Sequence, residues 1–170
     1  MATRRRFLAL GLGLPALLAG CGWEPLYANH ETAPASADLR GIRVNPIPER
    51  VGQRLETALR NSLNPSGEPA QQHYVLYITL STSLANLGVQ SQGLGTRGEV
   101  QVTATYRLVD IASGKQLQVS TVHAADSFDI QANGYSTVVA QDDAYTRCVV
   151  ELNNEIVARL TLFMQDHQAS

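Results

Sequence analysis

A chain of 170 residues, 44% hydrophobic and 16% charged with 13 Gly and 7 Pro, is too short for several large domains and too apolar to stay unfolded. It needs no metal or disulfide staple, because a chain of this size buries roughly 68–70% of its unfolded surface. Formal charge is −2, and beyond residue 20 there are 10 basic against 15 acidic residues, which argues against nucleic acid as a partner.

Residues 1–20 read as an export signal. Arg4, Arg5 and Arg6 precede an uncharged run from residue 7 to residue 20. That run is shorter than the roughly 20 apolar residues of a spanning helix, and Pro15 interrupts it. Thr3-Arg4-Arg5-Arg6-Phe7-Leu8 is similar to the twin-arginine export consensus, with Ala9 where that consensus prefers Lys. Leu17-Leu18-Ala19-Gly20-Cys21 resembles a bacterial lipobox, so Cys21 is the predicted lipidation site and first mature residue. Two or three acyl chains there would give stable anchoring where one chain would not. Residues 21–38 read as the lipidated tether, small and polar from Thr32 onward.

A first strand is expected over residues 39–46, with Ile42 and Val44 on one face, ended by Pro46 and Pro48. Residues 49–63 read as a helix with Val51, Leu55, Ala58 and Leu59 on one side, Pro48 suiting its first turn. Asn64-Pro65-Ser66-Gly67 stops it. Residues 74–85 form a β-rich run that starts apolar on both faces. Residues 88–98 hold four glycines and read as a flexible connection or a bulged strand end. Residues 99–110 are the cleanest strand, with Val100, Val102, Ala104, Tyr106 and Leu108 facing one way. A hairpin loop over 110–115 leads into a returning strand to about residue 128. A loop over 131–137 then gives way to a long helix ending near Gln165, with Tyr145, Cys148, Val149, Leu152, Ile156, Leu160 and Phe163 at three- and four-residue steps. Asp142 and Asp143 suit the positive end of that helix. Residues 166–170 are a polar tail.

Two one-sidedly apolar helices and four strands predict an α+β domain over residues 39–165, with both helices on one face of a four-stranded, mostly antiparallel sheet. Nothing in the pattern supports an enzyme, a metal site or a cofactor. The four His share no zinc spacing with a Cys or with each other. Gly93-x-Gly95-x-x-Gly98 precedes a strand where a dinucleotide fingerprint would open a helix. No Gly-x-Ser-x-Gly elbow occurs. Cys148 is the one other Cys, and on an apolar stripe it reads as a small buried hydrophobe.

Cys21-Gly22-Trp23-Glu24-Pro25-Leu26-Tyr27, Arg50-Val51-Gly52-Gln53-x-Leu55, Glu99-x-x-Val102-x-Ala104-x-Tyr106-x-Leu108 and Tyr135 through Gln141-Asp142-x-Ala144 together resemble the lipopolysaccharide-assembly lipoprotein family LptE. The resemblance implies a non-enzymatic outer-membrane lipoprotein on the periplasmic side. It would be the plug and assembly partner of the β-barrel LptD and would contact lipopolysaccharide. Basic side chains near a sheet-end loop would make that contact, and Arg97 and Lys115 are the nearest candidates. The competing readings are an auxiliary lipoprotein of a lipid-trafficking ABC transporter and a periplasmic hydrolase. The Thr-, Gln- and Ser-rich strand positions Gln101, Thr103, Thr105, Gln116, Gln118 and Ser120 are expected to be exposed and to suit a wet protein–protein interface.

Overall fold

The computed structural model describes residues 39–67, 71–89 and 95–168. The signal, Cys21 and the tether lie outside these residues. The element order is β1 (Ile42–Val44), α1 (Arg50–Leu63), β2 (Tyr74–Val89), β3 (Gly95–Asp110), β4 (Gln116–Asp129) and α2 (Gly134–Gln168). The sheet order is β1-β2-β3-β4. β1 runs parallel to β2, because α1 forms the crossover between them, and the other pairs are antiparallel. The α+β fold with two helices is therefore as expected, with a sheet that is mixed.

β1 is shorter than predicted. Leu39 and Arg40 are helical, and Ile42 and Val44 are buried around an exposed Arg43. Pro48 stands before α1 instead of inside its first turn, and Glu49 precedes the helix at φ 67, in the left-handed region that a side chain disfavours. The Glu56 carboxylate accepts the Ile47 N–H at 3.0 Å, which holds this corner. Gly52, Leu55, Leu59 and Leu63 form the buried face of α1. Gly52 is required by close approach: a Cβ there would stand 2.6 Å from Ile47 Cγ2. At the far end, Asn64 Nδ2 donates to the Ile42 carbonyl at 2.9 Å and ties helix to strand.

β3 is the centre of the domain. Val100, Val102, Ala104, Tyr106 and Leu108 are all fully buried, as the alternation predicts. β2 starts buried on both faces at Val75 and Leu76, also as predicted, but is exposed on both faces from Ser81 through Leu87. Register shifts after Asn86 give the β2–β3 hairpin a bulged end. β4 turns Val122, Ala124 and Phe128 inward. Its register sets Gln118 opposite Leu108 and Ser120 opposite Tyr106. These two side chains therefore lie half-buried on the helix side, which corrects their expected place on the exposed face. β4 parity follows Val122, Ala124 and Phe128, and Val119 is the residue left on the open side.

α2 begins at Gly134, earlier than its apolar stripe suggests, and continues to Gln168. Ala144, Cys148, Val149, Leu152, Ile156, Leu160 and Met164 are buried, with Tyr145 and Phe163 packed at the margin. Asp142 and Asp143 therefore sit two turns inside the helix, too deep to complement its dipole. They serve instead as ion-pair partners.

Candidate interaction surface

Two arginines lock the helices over the sheet. Arg54 on α1 donates from Nη2 to both carboxylate oxygens of Asp142 at 2.8 Å, and from Nη1 to Thr146 Oγ1 at 3.1 Å. This bidentate pair holds the Asp142 carboxyl below the usual carboxylate range. Arg147 on α2 bridges Asp126 of β4 and Asp143 of its own helix. The Arg147 hydrogen bond likewise lowers the Asp126 pKa. Arg159 donates to Ser120 Oγ at 2.7 Å and reaches the Thr121 carbonyl at 3.4 Å. Burial raises the Tyr106 pKa against a smaller lowering from a hydrogen bond with Ser120, and Gln118 Oε1 is buried without a hydrogen-bond partner among the described residues. Cys148 is fully buried, and desolvation pushes its thiol up to about 11, so it is inert to exchange.

The face of the sheet away from the helices is open. Rows of side chains cross three strands there: Thr79, Thr105 and Thr121 in one, Ser81, Thr103 and His123 in the next, Tyr77, Arg107 and Val119 in a third. Thr105 and Thr121 share a hydroxyl hydrogen bond of 3.1 Å, and the Arg107 guanidinium lies 4.6 Å from the centre of the Tyr77 ring. Such a face is regular and mostly polar. Among the described residues, no group of three His, Cys, Asp or Glu could hold a metal, and no helix is long and apolar enough to cross a membrane. A cavity of about 240 Å³ lies between Arg43 and Val44 of β1 and Arg60, Asn61 and Asn64 at the end of α1.

Arg97 and Lys115 do not come together. Arg97 is exposed but belongs to β3, paired with Asp129, and is not in a loop as expected. Lys115 is exposed in the turn between β3 and β4, where Asp110 N donates to its carbonyl at 3.0 Å. The two stand at opposite ends of β3, roughly 40 Å apart at about 3.3 Å per residue. They cannot form one charged cluster. Within the family-like motifs Gly52, Leu55, Val102, Ala104, Tyr106, Leu108 and Ala144 are buried, Arg50, Gln53 and Tyr135 are exposed, and residues 21–27 lie outside the described residues.

The chain forms a two-layer α+β fold. Solved structures share it. A putative lipoprotein from Caulobacter crescentus superposes with a TM-score of 0.63 at 21% identity, covering 79% of this chain and 98% of that one. Rare lipoprotein B from Shewanella oneidensis does so with 0.58 at 9% identity, covering 75% and 96%. A minor lipoprotein from Acinetobacter baumannii gives 0.51 at 20% identity, covering 71% and 90%. At these identities the likeness establishes the fold. No curated protein matches the sequence. The family is established by residues 39–160, which match the model of LptE, lipopolysaccharide-assembly. The chain belongs to that family.

Proposed function

We propose that this chain is a lipid-anchored, non-catalytic subunit of lipopolysaccharide assembly, held at the outer membrane through Cys21 and seated as plug and assembly partner of the LptD β-barrel. The observation that carries this reading is the family match over residues 39–160, which takes in the first five elements of the fold and α2 as far as Leu160. The open Thr-rich face supports it, because a domain inside a barrel meets a polar lumen. Arg97 and Lys115 are the proposed lipopolysaccharide contacts. Their separation makes them two independent contacts, one at each end of the sheet.

The test is affinity capture of the detergent-solubilised lipoprotein from membranes. Co-purification of an outer-membrane β-barrel is the expected result. Recovery of an ABC transporter complex in its place would overturn the reading in favour of the transporter-auxiliary alternative. Intact mass of the purified protein should begin at Cys21 with acyl additions. Charge reversal at Arg97 and at Lys115 should each weaken lipopolysaccharide capture separately while the thermal melt stays unchanged.

A further inference from the structure

The cavity of about 240 Å³ between β1 and the end of α1 is lined by neither Arg97 nor Lys115. Arginine and asparagine side chains make up its polar lining, and among the described residues no carboxylate lines it. Arg54, Arg147 and Arg159 each have a carboxylate partner. Arg43 is exposed and has no hydrogen bond or ion pair among the described residues. Arg60 is anchored at one end of its fork. Its Nη2 lies 3.0 Å from Glu56 Oε1, and Glu56 Oε2 accepts the Ile47 N–H at 3.0 Å. Both Glu56 oxygens are thus engaged, while Arg60, half-exposed, keeps its remaining donors.

β1 adds a backbone donor. Tyr74 N donates to the Gly41 carbonyl at 3.2 Å and Asn45 N to the Leu76 carbonyl at 2.9 Å, so Gly41, Arg43 and Asn45 turn their backbone groups to β2. Backbone groups alternate sides along a strand. Ile42 and Val44 therefore turn theirs outward, and Asn64 Nδ2 meets the Ile42 carbonyl there at 2.9 Å. Val44 is the next outward residue and lines the cavity. The Asn64 bond ties strand to helix end, so the donors sit on elements with a fixed separation. The negative end of the α1 dipole is offset by Arg60 in its last turn and by Asn64 N, which donates to the Arg60 carbonyl at 2.8 Å.

Guanidinium forks match the oxygens of carboxylate and phosphate. A carboxylate is used up by a single fork, whereas a phosphate monoester has acceptor oxygens for donors on several sides. The volume is below that of drug-sized pockets, roughly 300–1,000 Å³, and suits a small headgroup. We propose that this cavity binds a phosphate monoester, its oxygens held by Arg43, Arg60, the Asn61 carboxamide and the Val44 N–H. The phosphate belongs to a soluble ester or to a lipid headgroup, and the chemistry at the site is the same for both. The site depends neither on the barrel partnership proposed above nor on the contacts at Arg97 and Lys115.

Calorimetric titration of the full chain in a neutral detergent, against glycerol phosphate and against dihexanoyl phosphatidic acid, reads both sources. Saturable binding in the millimolar range or tighter is the expected result. Tighter binding of the ester assigns a soluble ligand, and tighter binding of the short-chain lipid assigns a headgroup. Arg43→Gln and Arg60→Gln should each weaken binding about tenfold, the loss of one charge-assisted hydrogen bond. Arg43→Gln should keep the wild-type melt, because Arg43 is exposed and has no partner to lose. Arg50→Gln, at the opposite end of α1, removes the same charge and should leave the affinity unchanged. In amide NMR spectra the Val44 and Asn61 signals should move with the titration. No saturable binding up to about 10 mM of either ligand overturns the proposal. So does binding that Arg43→Gln and Arg60→Gln both leave unchanged, or that moves only amides away from β1 and the end of α1.

Discussion

β2 and β3 are neighbours of equal length, 16 residues each, yet they live in different solvents. Every inward residue of β3 from Val100 to Leu108 is fully buried, because both of its sides carry a strand and α2 lies across its face. β2 has the same kind of alternation, but from Ser81 to Leu87 it is exposed on both faces. The apolar period of a strand thus reports which residues share a face. Whether that face is covered depends on where the helices land.

The comparison can be broken by substitution. Leu108→Ala on β3 should be the most damaging, destabilising by about 2–5 kcal/mol in denaturant titration, since it opens a cavity among fully buried side chains. A cost near zero would show that β3 is not the core strand. Gly98→Ala, at the end of β3, should cost about 1–3 kcal/mol, because its Cβ would lie 2.4 Å from Phe128 Cζ and the ring must move. An unchanged melting temperature would mean that this end of β3 is as loosely held as β2.

Acid should act between those extremes. Asp126 and Asp142 have lowered pKa values through Arg147 and Arg54. A carboxyl depressed in the folded state contributes stability above its unfolded pKa, near 4, and loses that contribution as pH falls through its folded pKa. The melting temperature should therefore drop from about pH 4 downward, and less steeply once Arg54 and Arg147 are both replaced by Gln. An identical pH profile in that double variant would remove these pairs from the account of how α2 is held. Leu84→Ala on β2 should have the smallest effect, within about 0.5 kcal/mol. A loss as large as that at Leu108 would mean that the distal part of β2 is covered after all.

Much of this fold was legible in the sequence, and the places where it was not share a cause. The core face of β3 and the Leu152–Ile156–Leu160 stripe of α2 stood out because burial writes a period into apolar residues. The start of α2 did not, because its first turns carry Tyr135, Val138 and Val139 exposed, so helix and apolar stripe begin at different places. Gln118 and Ser120 were misplaced because a polar side chain can sit half-buried on the inward face, and Ser120 does so under a hydrogen bond from Arg159. Asp142 looked like a helix-start residue because its partner Arg54 is 88 positions away, a distance no local pattern spans. Arg97 and Lys115 were legible as exposed charges, but their separation was not, since it depends on the full length of β3. The uncharged stretch of β2 was in plain view in the sequence, but its edge position became visible only with the strand order.

The sheet also fixes a lever arm. The Gly41 carbonyl accepts from His73 and Tyr74, and Ile111 N donates to the His73 carbonyl, so the start of the described domain is fastened to the end that carries the β3–β4 turn. The β2–β3 hairpin extends from there by the full length of its strands, about 50 Å at 3.3 Å per residue. Force or tethering applied upstream of Leu39 is thus delivered at one end of a stiff blade, and the bulged hairpin is its far tip. Trimming matched residues from β2 and β3 would change the reach of the hairpin in steps of one residue pair.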